Sequence, residues 1–326
     1  MEVSVAIPTY NRADYLRLTL ESLSKLDTSC ASFFEIIVVD NCCTDDTVEA
    51  VSEYLPRFQG RLRCVKEGKQ GLSNARNRAI AEARSEIVAY LDDDVEVDRN
   101  WLTALVAAFE SESCAVVGGK TYLIYPSARP SWLDDRSEGS LSKVDRGPLR
   151  REAKPDEIFG GNIGFRMDWL RRVGIFRPDL GRMGNKLISS EEEELLDRIA
   201  ASGGRLIYDP SVLIGHRVQP NRLRRRWFWS RSYWGSRGEA RMIPPSRISL
   251  YEFLRTTWHL GRVCGITCWA LFSRGPRSEE LFYQTRRMAS CLGFWVGLVG
   301  RLCRREACER VPVALQVASQ RSLGLP

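Results

Sequence analysis

Short apolar runs separated by helical patterns govern the first 125 residues. Residues 3–7, 34–39, 62–65, 87–91 and 115–118 are apolar or alternating runs of strand length. Between them apolar side chains recur at helical spacing: Tyr15/Leu16/Leu20/Leu23, Val48/Val51/Tyr54/Leu55, Ala75/Ala79/Ile80/Ala83 and Trp101/Leu102/Leu105/Phe109. Pro56 is expected to close the second helix. Strand–helix alternation with apolar strands predicts an α/β fold whose mainly parallel sheet is covered on both faces. Residues 126–157 hold four prolines and many charges, and read as a long loop. Strand-like runs resume at 159–165 and 206–212, with four consecutive glutamates, Glu191 to Glu194, opening a helical pattern between them. No internal repeat or low-complexity segment is visible.

Open α/β sheets bind ligands beyond the carboxyl ends of their strands, so the residues that follow each strand carry the candidate chemistry. Pro8-Thr9-Tyr10-Asn11-Arg12 follows the first strand, Asp40-Asn41 the second and Asp92-Asp93-Asp94 the fourth. Three adjacent carboxylates repel one another, which makes sense where a hard cation such as Mg²⁺ or Mn²⁺ sits among them. A plain acidic loop before the helix at Trp101 is the alternative. Asp45 is expected to cap the second helix, whereas Asp40 can accept hydrogen bonds from a base or ribose. Arg76 falls in the first turn of a helix, where a cation is disfavoured, and so calls for an anionic partner. Ser189 with Glu192, or Ser190 with Glu193, forms a capping-box pattern, yet four glutamates exceed what capping needs. The helix dipole would also keep them ionised, as a general base requires. His216 ends an apolar segment and fits either the core or a metal site.

Together these segments resemble a family-2 inverting glycosyltransferase of bacterial type, with the GT-A fold. The chain's VAIPTYNR, VVDNCCTD, GLSNARN, DDD, FGGNIGFR and Glu191–Arg198 segments occur in the family's order over residues 3 to about 218, with Cys42-Cys43 where Gly-Ser is usual. The resemblance implies a nucleotide-sugar site formed by Pro8, Thr9, Tyr10, Asn11, Asp40, Arg76, Asp92 and Asp93. It implies acceptor-side residues Gly161 and Asn162, and a divalent cation, Mn²⁺ or Mg²⁺, on Asp94 and His216. Glu192 would be the general base, with Glu191 as the fallback. The reaction implied is an inverting single displacement from a nucleotide diphosphate sugar, a UDP-sugar favoured, to a glycan or lipid-linked hydroxyl. Residues 1–218 would be the catalytic domain, with a nucleotide-sugar half at 1–120 and an acceptor half at 121–218.

Composition changes the picture at the C-terminus. At 326 residues and 44% hydrophobic, the chain can build one substantial core and an appendage. From Arg217 onward it holds 20 Arg and 6 Glu with no Lys or Asp, a charge of +14, although the whole chain carries only +7. Arginines interleave with tryptophans in 222–234, and the apolar stretches 258–272 and 288–303, of 15 and 16 residues, are short for spanning helices. We expect 219–326 to be a basic helical region lying peripherally on an anionic membrane surface, on its cytoplasmic side. A helical pair packed on the catalytic domain is the alternative. Two other functional classes remain, a non-catalytic scaffold and a nucleic-acid binder led by the tail; the second leaves the acidic clusters idle, so no nucleic acid is expected. Ten cysteines without regular spacing and no secretory signal suggest reduced thiols. Only two histidines are present, which excludes chemistry needing several.

Overall fold

A computed structural model of the chain describes residues 1–111, 113–184, 186–243, 250–274 and 279–303. The predicted strands are present as β1 (Glu2–Thr9), β2 (Phe33–Asp40), β3 (Leu62–Lys66), β4 (Ile87–Leu91), β6 (Val116–Ile124), β8 (Asn162–Arg166) and β9 (Leu206–Arg217). Two short strands, β5 (Val95–Val97) and β7 (Arg151–Glu152), complete one sheet of order β3-β2-β1-β4-β8-β6-β9-β5, with β7 on β9. Its parallel character lies in β3-β2-β1-β4 and in the β6–β9 pair; β8, β5 and β7 run antiparallel to their neighbours.

Alternation along β1 shows why helices cover both faces. Val3, Val5 and Ile7 join a core with Leu16, Leu20 and Leu23 of α1 (Ala13–Leu23) and with α2 (Thr47–Phe58) and α4 (Trp101–Ser111). Ala6 points the other way, into a second core with Ala75 and Ala79 of α3 (Leu72–Glu82), α5 (Met167–Val173) and α6 (Glu191–Ala201). α2 runs two residues beyond Pro56, because a proline in the last turn removes a single helical hydrogen bond.

Three strand boundaries differ from expectation. β6 runs past 118 to Ile124, paired with β9 along its length. β8 starts at Asn162 rather than 159, since Gly160-Gly161 stay irregular. β9 runs on to Arg217 through a bulge at Pro210-Ser211-Val212, between the pairs Gly119–Asp209 and Lys120–Leu213. Gly119 is required there: a Cβ on it would lie 2.0 Å from the Val212 carbonyl oxygen and 2.2 Å from Asn162 Nδ2. His216 therefore sits inside a strand, where β5 pairs Val95 opposite it.

The C-terminal region forms α7 (Arg225–Met242), α8 (Leu250–Arg274) and α9 (Glu279–Cys303); residues 304–326 of the expected basic region lie outside the described residues. α9 packs on α7 through its glycines, as a Cβ on Gly293 would strike the Tyr233 carbonyl and one on Gly297 would meet Ala240. Phe228 of α7 and Phe282 of α9 join Leu133 and Leu141 in a third core, which anchors the 126–157 loop. Arg286 of α9 donates to Ser137 and Ser140 in that loop. Phe228 is fully buried, with Trp132 and Phe282 edge-on to its ring. Phe228→Ala is expected to cost about 3 kcal/mol, read as a lowered urea midpoint with faster proteolysis between α7 and α9. An unchanged midpoint would show that these helices do not pack on the sheet domain.

Candidate active site

The carboxyl ends of β1 and β4 open into one cavity, walled on its other sides by α3, the Gly160-Gly161 turn, the start of α6 and α7. Pro8, Thr9, Tyr10, Arg76, Asp92, Asp93, Gly161, Glu191 and Glu192 line it. The sequence places these residues up to 184 positions apart, and the sheet order brings them together.

The acidic turn is held by cations from two directions. Asp93 accepts hydrogen bonds from Thr9 Oγ1 at 2.8 Å and Arg12 Nη1 at 2.9 Å. Burial pushes its carboxyl upward even so. Asp94 has no exposed surface; its Oδ2 accepts from Arg12, Arg222 and Gln219, each at 3.2 Å. Burial alone would raise Asp94, but His216, Arg222 and Arg12 outweigh it and hold the carboxyl well below its ordinary range. The same burial pulls the Arg222 guanidinium down to about 10.

β5 explains how His216 reaches this turn. The three-residue strand folds back on β9, and the Arg217 N–H donates to the Asp94 carbonyl at 2.8 Å. His216 Nε2 then stands 3.3 Å from Asp94 Oδ1. Asp92, Asp94 and His216 each offer a ligand atom within 4.8 Å of the others. Asp94 Oδ1 is buried with no hydrogen-bond partner among the described residues. Two carboxylates and an imidazole, with one buried carboxylate oxygen left unpaired, fit a divalent cation.

Arg76 finds its anionic partner inside the protein. Its buried guanidinium donates to Glu191 at 2.9 Å and lies 3.7 Å from Glu192 Oε2. Gly160 and Gly161 make this possible, because a Cβ on Gly160 would lie 2.4 Å from Arg76 Nη2 and one on Gly161 2.5 Å from Asp92 Oδ2. Burial and the neighbouring Glu192 charge push Glu191 up to about 8, whereas Arg76 outweighs burial at Glu192 and holds it down. The expectation that the helix start keeps both ionised therefore fails for Glu191, where desolvation wins. Neither capping box forms: Ser190 adopts a left-handed φ of 75° and its side chain makes no cap bond. Asp45 does not cap α2; it accepts from the Ala13 N–H at the start of α1.

Asn11, Asp40, Asn162, Asp94 and His216 are not among the residues lining the cavity. Asp40 turns one oxygen to the Cys43 N–H. Asn11 accepts from the Thr44 N–H and tightens the same pair of loops. Asn162 donates to the Lys120 and Val212 carbonyls and accepts from Trp101, so its amide holds the bulge rather than facing an acceptor. Sequence reasoning missed Gln219, Arg222 and Arg231, all beyond residue 218. Arg222 stands in an arginine run that reads as solvated, yet it is 3% exposed.

A mixed sheet with an acidic turn at a strand end and a carboxylate pair across the cavity defines a GT-A-type glycosyltransferase. Residues 4–174 match the family described as glycosyl transferase family 2, and the chain belongs to that family. It is 25% identical over 241 residues to a glucosyl-dolichyl phosphate glucuronosyltransferase of Haloferax volcanii, covering 72% of this chain and 75% of that one. It is 23% identical over 262 residues to the succinoglycan biosynthesis protein ExoM of Rhizobium meliloti, covering 80% of each. Among solved structures, the mannosyltransferase PcManGT of Pyrobaculum calidifontis, in complex with GDP-Man and Mn²⁺, aligns with a TM-score of 0.55 at 20% identity, over 99% of this chain and 80% of that one. TarS 1–349 of S. aureus, in complex with UDP-GlcNAc, gives 0.53 at 16%, over 95% and 93%. The protein is a glycosyltransferase.

Proposed function

We propose that the enzyme transfers a sugar, with inversion, from a nucleotide diphosphate sugar to a hydroxyl of a glycan or lipid-linked acceptor, with a UDP-sugar as the favoured donor. The observation that carries this reading is Glu192. It lines the cavity, Arg76 keeps it in its ionised form, and its Oε2 has no hydrogen-bond partner among the described residues. Such an oxygen can take the proton from an acceptor hydroxyl as that oxygen attacks the anomeric carbon. The new C–O bond forms as the bond to the diphosphate breaks, so no covalent sugar–enzyme intermediate is needed. Glu191, neutralised beside Arg76, positions Glu192 and the guanidinium. Asp94 and His216, with Asp92 beside them, would hold a divalent cation, Mn²⁺ or Mg²⁺, whose chemistry is to neutralise charge on the departing diphosphate. Thr9, Tyr10 and Asn41 line the wall we assign to the nucleoside; UDP, UDP-GlcNAc and GDP-Man in similar folds support a nucleotide diphosphate donor.

Glu192→Gln keeps the side chain's size but cannot accept a proton. It is expected to lower kcat by about 10²–10⁴-fold with donor affinity nearly unchanged. Turnover like wild type would remove Glu192 from the mechanism, and an equal loss confined to Glu191→Gln would move the role there.

The second element of the reading is attachment to an anionic membrane surface on the cytoplasmic face. Among the described residues no helix is long and apolar enough to cross a membrane. α9 spends its apolar stretch on α7, but α8 does not: Leu254, Trp258 and Trp269 are exposed on one face, with Arg262 over the Trp258 ring. We expect full-length protein to sediment with vesicles of anionic lipid at low salt and partly dissociate at high salt. Trp258→Glu with Trp269→Glu is expected to abolish sedimentation while donor binding persists. Sedimentation unaffected by the double substitution would exclude α8 as the attachment face.

A further inference from the structure

Arg222 occupies the two groups that a divalent cation would need. It sits on the single 3-10 turn Pro220–Leu223 that follows β9, and its backbone N–H is tied to the Gln219 carbonyl at 2.9 Å. One end of its guanidinium, Nη2, is 3.2 Å from Asp94 Oδ2, and the other, Nη1, is 3.1 Å from His216 Nε2. A guanidinium has donors and no acceptor, so this contact is a hydrogen bond only in the tautomer whose Nε2 lone pair faces Arg222. That lone pair is the one Nε2 would give to a metal. We propose that Arg222 is a built-in counter-ion of the metal ligands, which a divalent cation must displace before it can bind.

The charge balance supports displacement over coexistence. Asp92, Asp93 and Asp94 carry three negative charges, and Arg12 and Arg222 return two positive ones through the contacts at Asp93 and Asp94. With Arg222 in place the turn offers a dication one net negative charge; with Arg222 withdrawn it offers two. Arg222 and Asp94 are both buried, so little water screens the repulsion between guanidinium and metal. The displaced guanidinium needs an anion to face, and the diphosphate of the donor would supply one in the cavity that Arg12, Asp92 and Asp93 line. The metal would therefore bind weakly alone and strongly with the donor nucleotide, and by linkage the nucleotide would bind weakly without the metal. This inference rests on the metal reading given above and adds a condition to it: the cation and the donor arrive together because the protein's own arginine guards the site.

Calorimetric titration of Mn²⁺ into the full chain, with and without UDP, tests it in wild type, Arg222→Met and Arg222→Lys. Without nucleotide, Arg222→Met is expected to bind Mn²⁺ roughly ten-fold or more tighter than wild type, since a like charge has left the site. The gain in Mn²⁺ affinity from UDP should shrink in that variant. Arg222→Lys keeps the charge and should stay close to wild type, which a merely structural role would not produce. Arg222→Gln, which retains a donor for His216, takes the place of the methionine variant should that variant fail to fold by circular dichroism, with the same direction expected. Equal or weaker Mn²⁺ binding in the folded neutral variants overturns the proposal. So does wild-type protein that binds Mn²⁺ alone as tightly as with UDP. Absence of Mn²⁺ binding in every protein, with and without UDP, takes the inference down together with the metal reading.

Discussion

Asp94 is an ionised carboxylate with no exposed surface, placed beside two further carboxylates at the end of a buried strand. A buried charge of this kind costs several kcal/mol unless paired and hydrogen-bonded. Each partner that meets the cost comes from a different part of the chain. Arg12 arrives from the turn after β1, His216 from β9, and Gln219 and Arg222 from the turn that follows. The requirement to compensate one carboxylate thus fixes how the first half of the sheet meets the second. It also brings residues beyond 218 into the site, so the catalytic centre draws on the region that begins the basic tail.

A second buried pair does the same work on the opposite wall. Arg76 on α3 meets Glu191 on α6, and desolvation pushes that carboxyl up to about 8. Its neighbour Glu192 keeps its charge through the same guanidinium. Two adjacent carboxyls on one helix turn are thereby shifted in opposite directions, the split that the roles proposed for them, scaffold and base, require. The glycines at 160 and 161 belong to this device, since any side chain there would push Arg76 or Asp92 away.

Most of the fold was legible because β1 to β4 are apolar runs with unambiguous periodicity, and the residues after them are short motifs on which local sequence decides. What was not legible depends on tertiary pairing. β5 is three residues long, too short to show a period, yet it delivers His216 to Asp94. The strand-like run read at 206–212 ends early, because only the bulge against Gly119 and Lys120 carries β9 on to Arg217. Arg222 is one of five arginines between 222 and 231 that composition alone assigns to solvent. Its burial is set by a carboxylate 128 positions away. The protonation split of Glu191 and Glu192 was likewise hidden, because capping and dipole arguments treat the first turn as exposed while α7 and the cavity wall bury it.

The central claim is that Asp94 and His216, brought together by β5 and β9, are the metal ligands of a nucleotide-sugar site. Anomalous diffraction at the manganese edge, from crystals grown with Mn²⁺ and a nucleoside diphosphate, tests it most directly. The account predicts one strong peak within bonding distance of Asp94 and His216, with the guanidinium of Arg222 moved off both. A peak elsewhere in the cavity, or a bound nucleotide with Arg222 still bridging Asp94 and His216 and no peak between them, would contradict it.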